Sequence, residues 1–199
     1  AIAESKDPAK KALSETPTRI ALDSYKKAIS LDAKGSLRKQ INNQLLMMSF
    51  TVQNAAYEFN DKKDLVNALD CFEQSLSIDS LASPGKVDSA IIYNAGLIAD
   101  QGKNYDKARF YYNRCIDIRY GGAQVFGLLA ILDKNQGDTA AYMATLERGM
   151  KVYPDDCQPL LVEVTNHYMQ QDQSDLALEY LAKAIEREPN NASFFFAQG

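Results

Sequence analysis

One histidine, no tryptophan and three cysteines in 199 residues leave few routes to chemistry. The lone imidazole, His167, has no second ligand in the sequence and lies in no HExxH helix, so it reads as a surface or partly buried imidazole. Cys71, Cys115 and Cys157 are odd in number and widely spaced, with no CxxC pair. That pattern fits neither a disulfide framework nor a zinc site. Cys71 and Cys115 fall within helical patterns and read as small core residues. Glycine and proline are scarce too, at 10 and 6 residues. Their share, about 8%, compares with about 12% in average proteins. The shortage argues against folds with many turns, such as β-sandwiches or βαβ arrays with glycine-rich loops. No phosphate loop, nucleophile elbow or EF-hand pattern occurs. The chain is therefore expected to be no enzyme, and to need no cofactor or metal.

Basic charge is also limited, with 22 Lys and Arg against 26 Asp and Glu for a net charge of -4. A nucleic-acid binder usually carries a basic face, so no nucleic-acid partner is expected. The charge is uneven. Residues 1–48 hold nine basic and five acidic residues, whereas 49–199 hold 13 and 21. The plain reading is a solvated surface of uneven composition. Long hydrophobic runs are missing as well. The longest, around Phe126 to Leu132, falls far short of the ~18 residues a membrane-spanning helix needs, so no transmembrane segment is expected.

What the chain does have is a period. Helix-length apolar patterns recur, separated by short polar breaks such as Gly102-Lys103-Asn104, Gln136-Gly137-Asp138 and Gln171-Asp172-Gln173. Ala68, Cys71 and Phe72 align with Ala108, Tyr111 and Tyr112, then with Tyr142, Thr145 and Leu146, then with Ala177, Tyr180 and Leu181. The first members of these sets are 40, 34 and 35 residues apart. Such a period marks one supersecondary unit repeated, each copy burying its apolar face against its neighbours.

The units resemble tetratricopeptide repeats, helix-turn-helix hairpins in which small and bulky residues alternate at fixed positions. The unit 158–191 supplies Leu161, Val164, Thr165, Tyr168, Ala177, Leu181, Ala184 and Pro189. The unit 89–122 supplies Ile92, Ala95, Gly96, Ala99, Ala108, Tyr112 and Cys115, and the unit 49–82 supplies Val52, Ala55, Ala56, Phe59, Ala68, Phe72 and Ser75. The unit 123–156 fits through Phe126, Leu129, Ala130, Leu146, Gly149 and Pro154, but Asp133 and Tyr142 depart from the pattern. The steric logic is that small residues let the two helices of a hairpin approach, while large ones fill the groove between hairpins. The resemblance implies an all-α, right-handed α–α superhelix of tandem helix-turn-helix repeats.

The edges are less regular. Pro17 to Asp32 reads as a second helix, with Ala21, Tyr25 and Ala28 at its small, large and small positions and Gly35 as a stop. Its partner around residues 2–14 has few bulky apolar residues, so residues 1–35 read as a degraded first hairpin. From Ser36 the pattern runs unbroken to Asn60, making 36–82 a long helix plus hairpin. Residues 79–88 read as an extended loop containing Ser83-Pro84-Gly85. Asp155-Asp156 is placed to stabilise the start of the following helix. Residues 192–199 place Phe195 and Gly199 at positions 4 and 8 of a further unit, so the array is expected to continue. Phe194 and Phe196, left exposed there, offer a route to self-association.

The resemblance also implies a binding surface, because the first helix of each hairpin lines a concave face that holds peptides. The residues there are Phe50, Gln53, Tyr57 and Asn60 in one unit, and Tyr93, Asn94, Leu97 and Gln101 in the next. Gln124 and Lys134 follow in the third, then Asn166 and Gln170 in the fourth. Aromatic rings beside amides suit peptide recognition, the ring supplying area and the amide pairing with extended backbone. Filling of the groove by neighbouring helices or a capping segment is the competing reading. Lys134 is the single basic residue in the set, too few for a clamp on a C-terminal carboxylate. The expected function is a protein-interaction scaffold for a protein or peptide partner. The alternative is a regulatory or spacer segment of a larger protein whose effector domain lies elsewhere. The register is similar to repeat proteins of Bacteroidetes-type bacteria, which implies a periplasmic or exported location; a cytoplasmic one is the alternative. If the register is correct, Ala108→Leu overpacks a hairpin and lowers stability by roughly 1–3 kcal/mol in urea unfolding. An unchanged midpoint would refute the register.

Overall fold

Four helix-to-helix turns share one local device. A helix ends on a residue in the left-handed region, and the next residue starts the following helix. Lys63 (φ 61°), Lys103 (φ 57°), Gly137 (φ 81°) and Asp172 (φ 55°) precede Asp64, Asn104, Asp138 and Gln173. The reversal lets an amide reach back five residues and satisfy an orphan carbonyl. Asp64 bonds the carbonyl of Phe59 at 2.9 Å, Asp138 that of Asp133 at 3.0 Å and Gln173 that of Tyr168 at 2.9 Å. The side chains of Asp64, Asn104 and Asp138 then accept from the backbone N–H three residues on, at 3.3, 3.4 and 2.9 Å. Each thereby satisfies one of the unpaired donors at a helix start. Gln173 makes no such cap.

The computed structural model describes residues 17–86 and 88–192. Among them are nine helices: α1 Pro17–Leu31, α2 Arg38–Asp61, α3 Leu65–Ala82, α4 Ser89–Gln101, α5 Tyr105–Asp117, α6 Gly122–Asn135, α7 Thr139–Val152, α8 Gln158–Gln170 and α9 Ser174–Arg187. No strand occurs among the described residues. The helix expected around 2–14 and the residues Phe194, Phe195, Phe196 and Gly199 lie outside them. The chain divides into two compact units, residues 1–102 and 103–199.

In the first unit, α2 and α3 form a long hairpin. Leu22 of α1 joins Ile41, Leu45, Met48 and Val52 of α2 and Ile78 and Ala82 of α3 in one buried cluster. Ala21, Tyr25 and Ala28 only flank it, half-buried. The fully buried position is one residue along, a rotation of about 100° on the helix. The extended loop expected from residue 79 is shorter, because α3 continues to Ala82. Burial of Ile78 and Ala82 holds those turns, and Arg38 Nη2 donates to the carbonyl of Leu81 at 2.7 Å, satisfying an acceptor at the helix end. Between α1 and α2, the Asp32 carboxylate accepts from the amides of Leu37 and Ser36 at 2.7 and 2.9 Å. The Leu37 bond above all holds its pKa below the usual carboxylate value. Cys71, expected in the core, sits half-buried at the cluster edge.

In the second unit, Phe126 and Ala130 of α6, Tyr142 and Leu146 of α7, and Leu160, Leu161 and Val164 of α8 share a core with Leu181 and Ala184 of α9. Tyr142 and Asp133, the two residues that departed from the repeat pattern, are both buried. Cys157 is the N-cap of α8 and no side chain caps that helix. Asp155 and Asp156 therefore add only charge near its start, since the helix begins a residue beyond them. Burial pushes the thiols of Cys71 and Cys115 up to about 11, leaving them as unreactive thiols at neutral pH.

Gly149 marks the tightest approach in this unit. A Cβ there would lie 2.5 Å from Leu160 Cδ1 and 2.7 Å from Phe126 Cβ. Glycine at this point lets α7 press against both α6 and α8. Gly149→Ala should cost about 1–3 kcal/mol despite alanine's better helix propensity. Gly127→Ala, whose methyl would meet Leu160 Cδ2 at an ordinary 3.5 Å, is the control and should be neutral or stabilising. Urea unfolding of the two variants checks the contrast.

Candidate functional site

The core stripe of α2 (Ile41, Leu45, Met48, Val52) leaves a second stripe facing outward. Leu46, Phe50 and Tyr57 recur at helical spacing along it, with Met47 beside them, and all are exposed. Phe50 is 66% exposed. Tyr57 is anchored at its base, its ring meeting Phe72 edge-on with centroids 5.4 Å apart. Its hydroxyl accepts from Asn94 Nδ2 of α4 at 3.0 Å. That bond brings two of the expected site residues together across neighbouring helices.

Gln53 lies between the aromatic residues and is held from below. Its Nε2 donates to the Ser49 hydroxyl at 3.1 Å and to the Ser75 hydroxyl at 2.9 Å, and the two serines bond each other at 3.0 Å. Both serines are buried between α2 and α3. With its nitrogen so engaged, Gln53 has its carbonyl oxygen available as an acceptor. Asn60 is half-buried in the last turn of α2; on α4, Tyr93 and Leu97 are half-buried and Gln101 is exposed.

An open groove of ≈ 770 Å³ lies beside Phe50. Leu46, Ser49, Phe50 and Gln53 of α2 form one wall, Asp79 and Ser83 close it at the end of α3, and Lys86 with Asp88 to Ala90 close it at the start of α4. Asp88 Oδ1 accepts from the amides of Ala90 and Ile91, both at 3.1 Å. Burial raises the Asp79 pKa, opposed by a hydrogen bond from Ser49 and reinforced by the charge of Asp88.

In the second unit, Gln124, Asn166 and Gln170 are exposed, and Lys134 is committed. Its ammonium pairs with Glu163 Oε1 at 3.4 Å and lies 5.1 Å over the Tyr142 ring. Glu163 also accepts from the Tyr142 hydroxyl at 2.9 Å. Burial, followed by this carboxylate, raises the Tyr142 pKa, so the phenol stays protonated. A second polar cluster surrounds Asp133, which is 1% exposed. Arg109 pairs with its Oδ1, Thr145 donates to its Oδ2 at 3.0 Å, and Arg109 Nη2 reaches Gln136 Oε1 at 2.6 Å. Sequence reasoning passed over Leu46 and Met47, although the step from 46 to 50 to 57 was readable. It also passed over Glu163 and Arg109, for which no local signal exists. Among the described residues no group of three His, Cys, Asp or Glu could hold a metal, and no helix is long and apolar enough to cross a membrane.

With this geometry in hand, comparison with known proteins is direct. A tetratricopeptide-repeat family model matches residues 89–120 and 167–191. Those two segments match the tetratricopeptide repeat. The matched repeats include α4 with α5, and α9. A tetratricopeptide repeat protein of Parabacteroides merdae is 18% identical with a TM-score of 0.60, covering 73% of this chain and 56% of its own. MamA is 17% identical with a TM-score of 0.57, covering 95% of this chain and 99% of its own. At these identities the likeness is one of fold. The protein CTR9 homolog of Arabidopsis thaliana is 26% identical over 125 residues, 60% of this chain. The match spans 11% of that protein's length. Tetratricopeptide repeats as a class mediate protein–protein interactions, on a fold that is typically a non-catalytic scaffold.

The Asp133 cluster makes a stability prediction. Arg109→Ala leaves a buried carboxylate with Thr145 as its main remaining donor, and should cost about 2 kcal/mol after allowance for the partly solvated guanidinium. Adding Asp133→Leu should restore most of that loss, as measured by urea unfolding. No recovery in the double variant would show that the ion pair is not the source.

Proposed function

We propose that the chain is a non-catalytic interaction scaffold that captures a protein or peptide partner on the exposed face of α2 and α4. The observation that carries this reading is the outward stripe of Leu46, Phe50 and Tyr57 beside an open groove. Three large apolar side chains in a row exceed what a solvated helix face needs. Gln53 and Asn94 add oriented amides within the same surface, the combination of area and backbone pairing that peptide recognition uses. Tyr93, Leu97, Asn60 and Gln101 extend the proposed surface. Gln124, Lys134, Asn166 and Gln170 belong to the second unit, where the pairing of Lys134 with Glu163 supports a face without free basic charge.

A second reading makes the array a regulatory or spacer segment of a longer protein. It is supported by the match to CTR9 homolog, of which this chain spans a small part. The two readings are compatible. Phe50→Ala should abolish co-purification of partners from the source cells, with only a small fall in Tm because this side chain is largely exposed. Retained co-purification, or collapse of the fold, would defeat the assignment of this face.

A further inference from the structure

We propose that the groove beside Phe50 takes a protein segment in which an apolar side chain lies next to Arg or Lys. The inference rests on the partner-binding reading above and specifies the partner's chemistry. The groove has three kinds of wall. Leu46 and Phe50 offer exposed apolar surface on α2. Gln53 adds an oriented amide, its nitrogen tied down by Ser49 and Ser75, so that its carbonyl oxygen can accept a backbone N–H from an extended segment. Asp79 in the last turn of α3 and Asp88 at the start of α4 supply carboxylates.

The charge at that end is unbalanced. Two carboxylates face the groove against the single ammonium of Lys86, which is exposed on its rim. Arg38 keeps its charge while it bonds the Leu81 carbonyl, but it does not line the groove. Asp88 uses Oδ1 to cap α4, leaving Oδ2 for a ligand. Asp79 feels both burial and the like charge of Asp88. A guanidinium or ammonium placed between the two would relieve that repulsion, whereas a third carboxylate would add to it. Charge complementarity thus selects a basic group next to the apolar contact, and it disfavours acidic tails.

The test uses the whole chain and three labelled octapeptides of the form Ser-Leu-Ser-Phe-Ser-X-X-Ser, with X-X as Arg-Arg, Ser-Ser or Glu-Glu, titrated by fluorescence polarisation. The Arg-Arg peptide should bind at least about tenfold more tightly than the Glu-Glu peptide. The gap should narrow at about 0.5 M NaCl. Asp79→Asn should narrow the gap between the Arg-Arg and Glu-Glu peptides, and adding Asp88→Asn should narrow it further. Lys86→Glu, on an exposed loop where folding is not at stake, should strengthen Arg-Arg binding. Phe50→Ala should weaken all three. Equal affinities, or a preference for Glu-Glu, overturn the charge inference yet leave the groove reading standing if Phe50→Ala still weakens binding. Binding indifferent to Phe50→Ala, or none up to about 1 mM, overturns both. Self-association that competes with the peptides and vanishes in Phe50→Ala would assign the groove to a second copy, and overturns the inference too.

Discussion

The left-handed residue followed at once by a helix N-cap is the constraint from which the rest of each hairpin follows. Because the second helix starts at a defined residue, its phase is set before any packing occurs. The residue four beyond the N-cap position is Ala68, Ala108, Tyr142 or Ala177, eight beyond it Phe72, Tyr112, Leu146 or Leu181, and eleven beyond it Ser75, Cys115, Gly149 or Ala184. All twelve are buried. A left-handed Lys or Asp costs on the order of 1 kcal/mol, offset here by the backbone bonds and Asx caps that the turn makes. Local geometry and long-range packing therefore agree on one register, which is what a repeat sequence needs in order to specify a single stack.

That agreement explains why the repeats were legible in the sequence. Small and large residues at fixed steps are visible without coordinates, and the breaks at 102–104, 136–138 and 171–173 mark three of the four turns. The illegible parts depend on partners far along the chain. Asp133 looked like a misfit because its cation, Arg109, belongs to the preceding helix. Tyr142 looked too large for its position because its hydroxyl is satisfied by Glu163, on the helix that follows. The end of α3 was misjudged for a related reason. Asp79, Ser80 and Ser83 read as loop residues, but Ile78 and Ala82 are held by a cluster that includes α1.

The candidate face was legible to a similar depth. Helical period alone brings Phe50, Gln53 and Tyr57 to one side of α2. It cannot reveal that Gln53 is oriented by two buried serines, one of them on another helix, nor that Lys134 is neutralised by Glu163. The acidic rim of the groove was beyond it altogether. Asp79 and Asp88 come from the end of one hairpin and the start of the next, joined by the connection that breaks the regular spacing. A periodic argument stops where the period is interrupted, and surface chemistry is free to vary at such a point.

The Arg109–Asp133 pair has a bearing on assembly as well as on strength. Hairpins built to one pattern are poor at telling their neighbours apart, and repeat chains are prone to wrong pairings as they fold. An aromatic residue at position 133 would accept almost any apolar neighbour. A carboxylate at 1% exposure needs a neighbour whose cation can reach it, as that of the partly solvated Arg109 does. A hairpin docked in the wrong order would bury that charge without its partner, at a cost of several kcal/mol. The ion pair thus ties α6 to α5 by a contact that the repeat pattern itself does not supply.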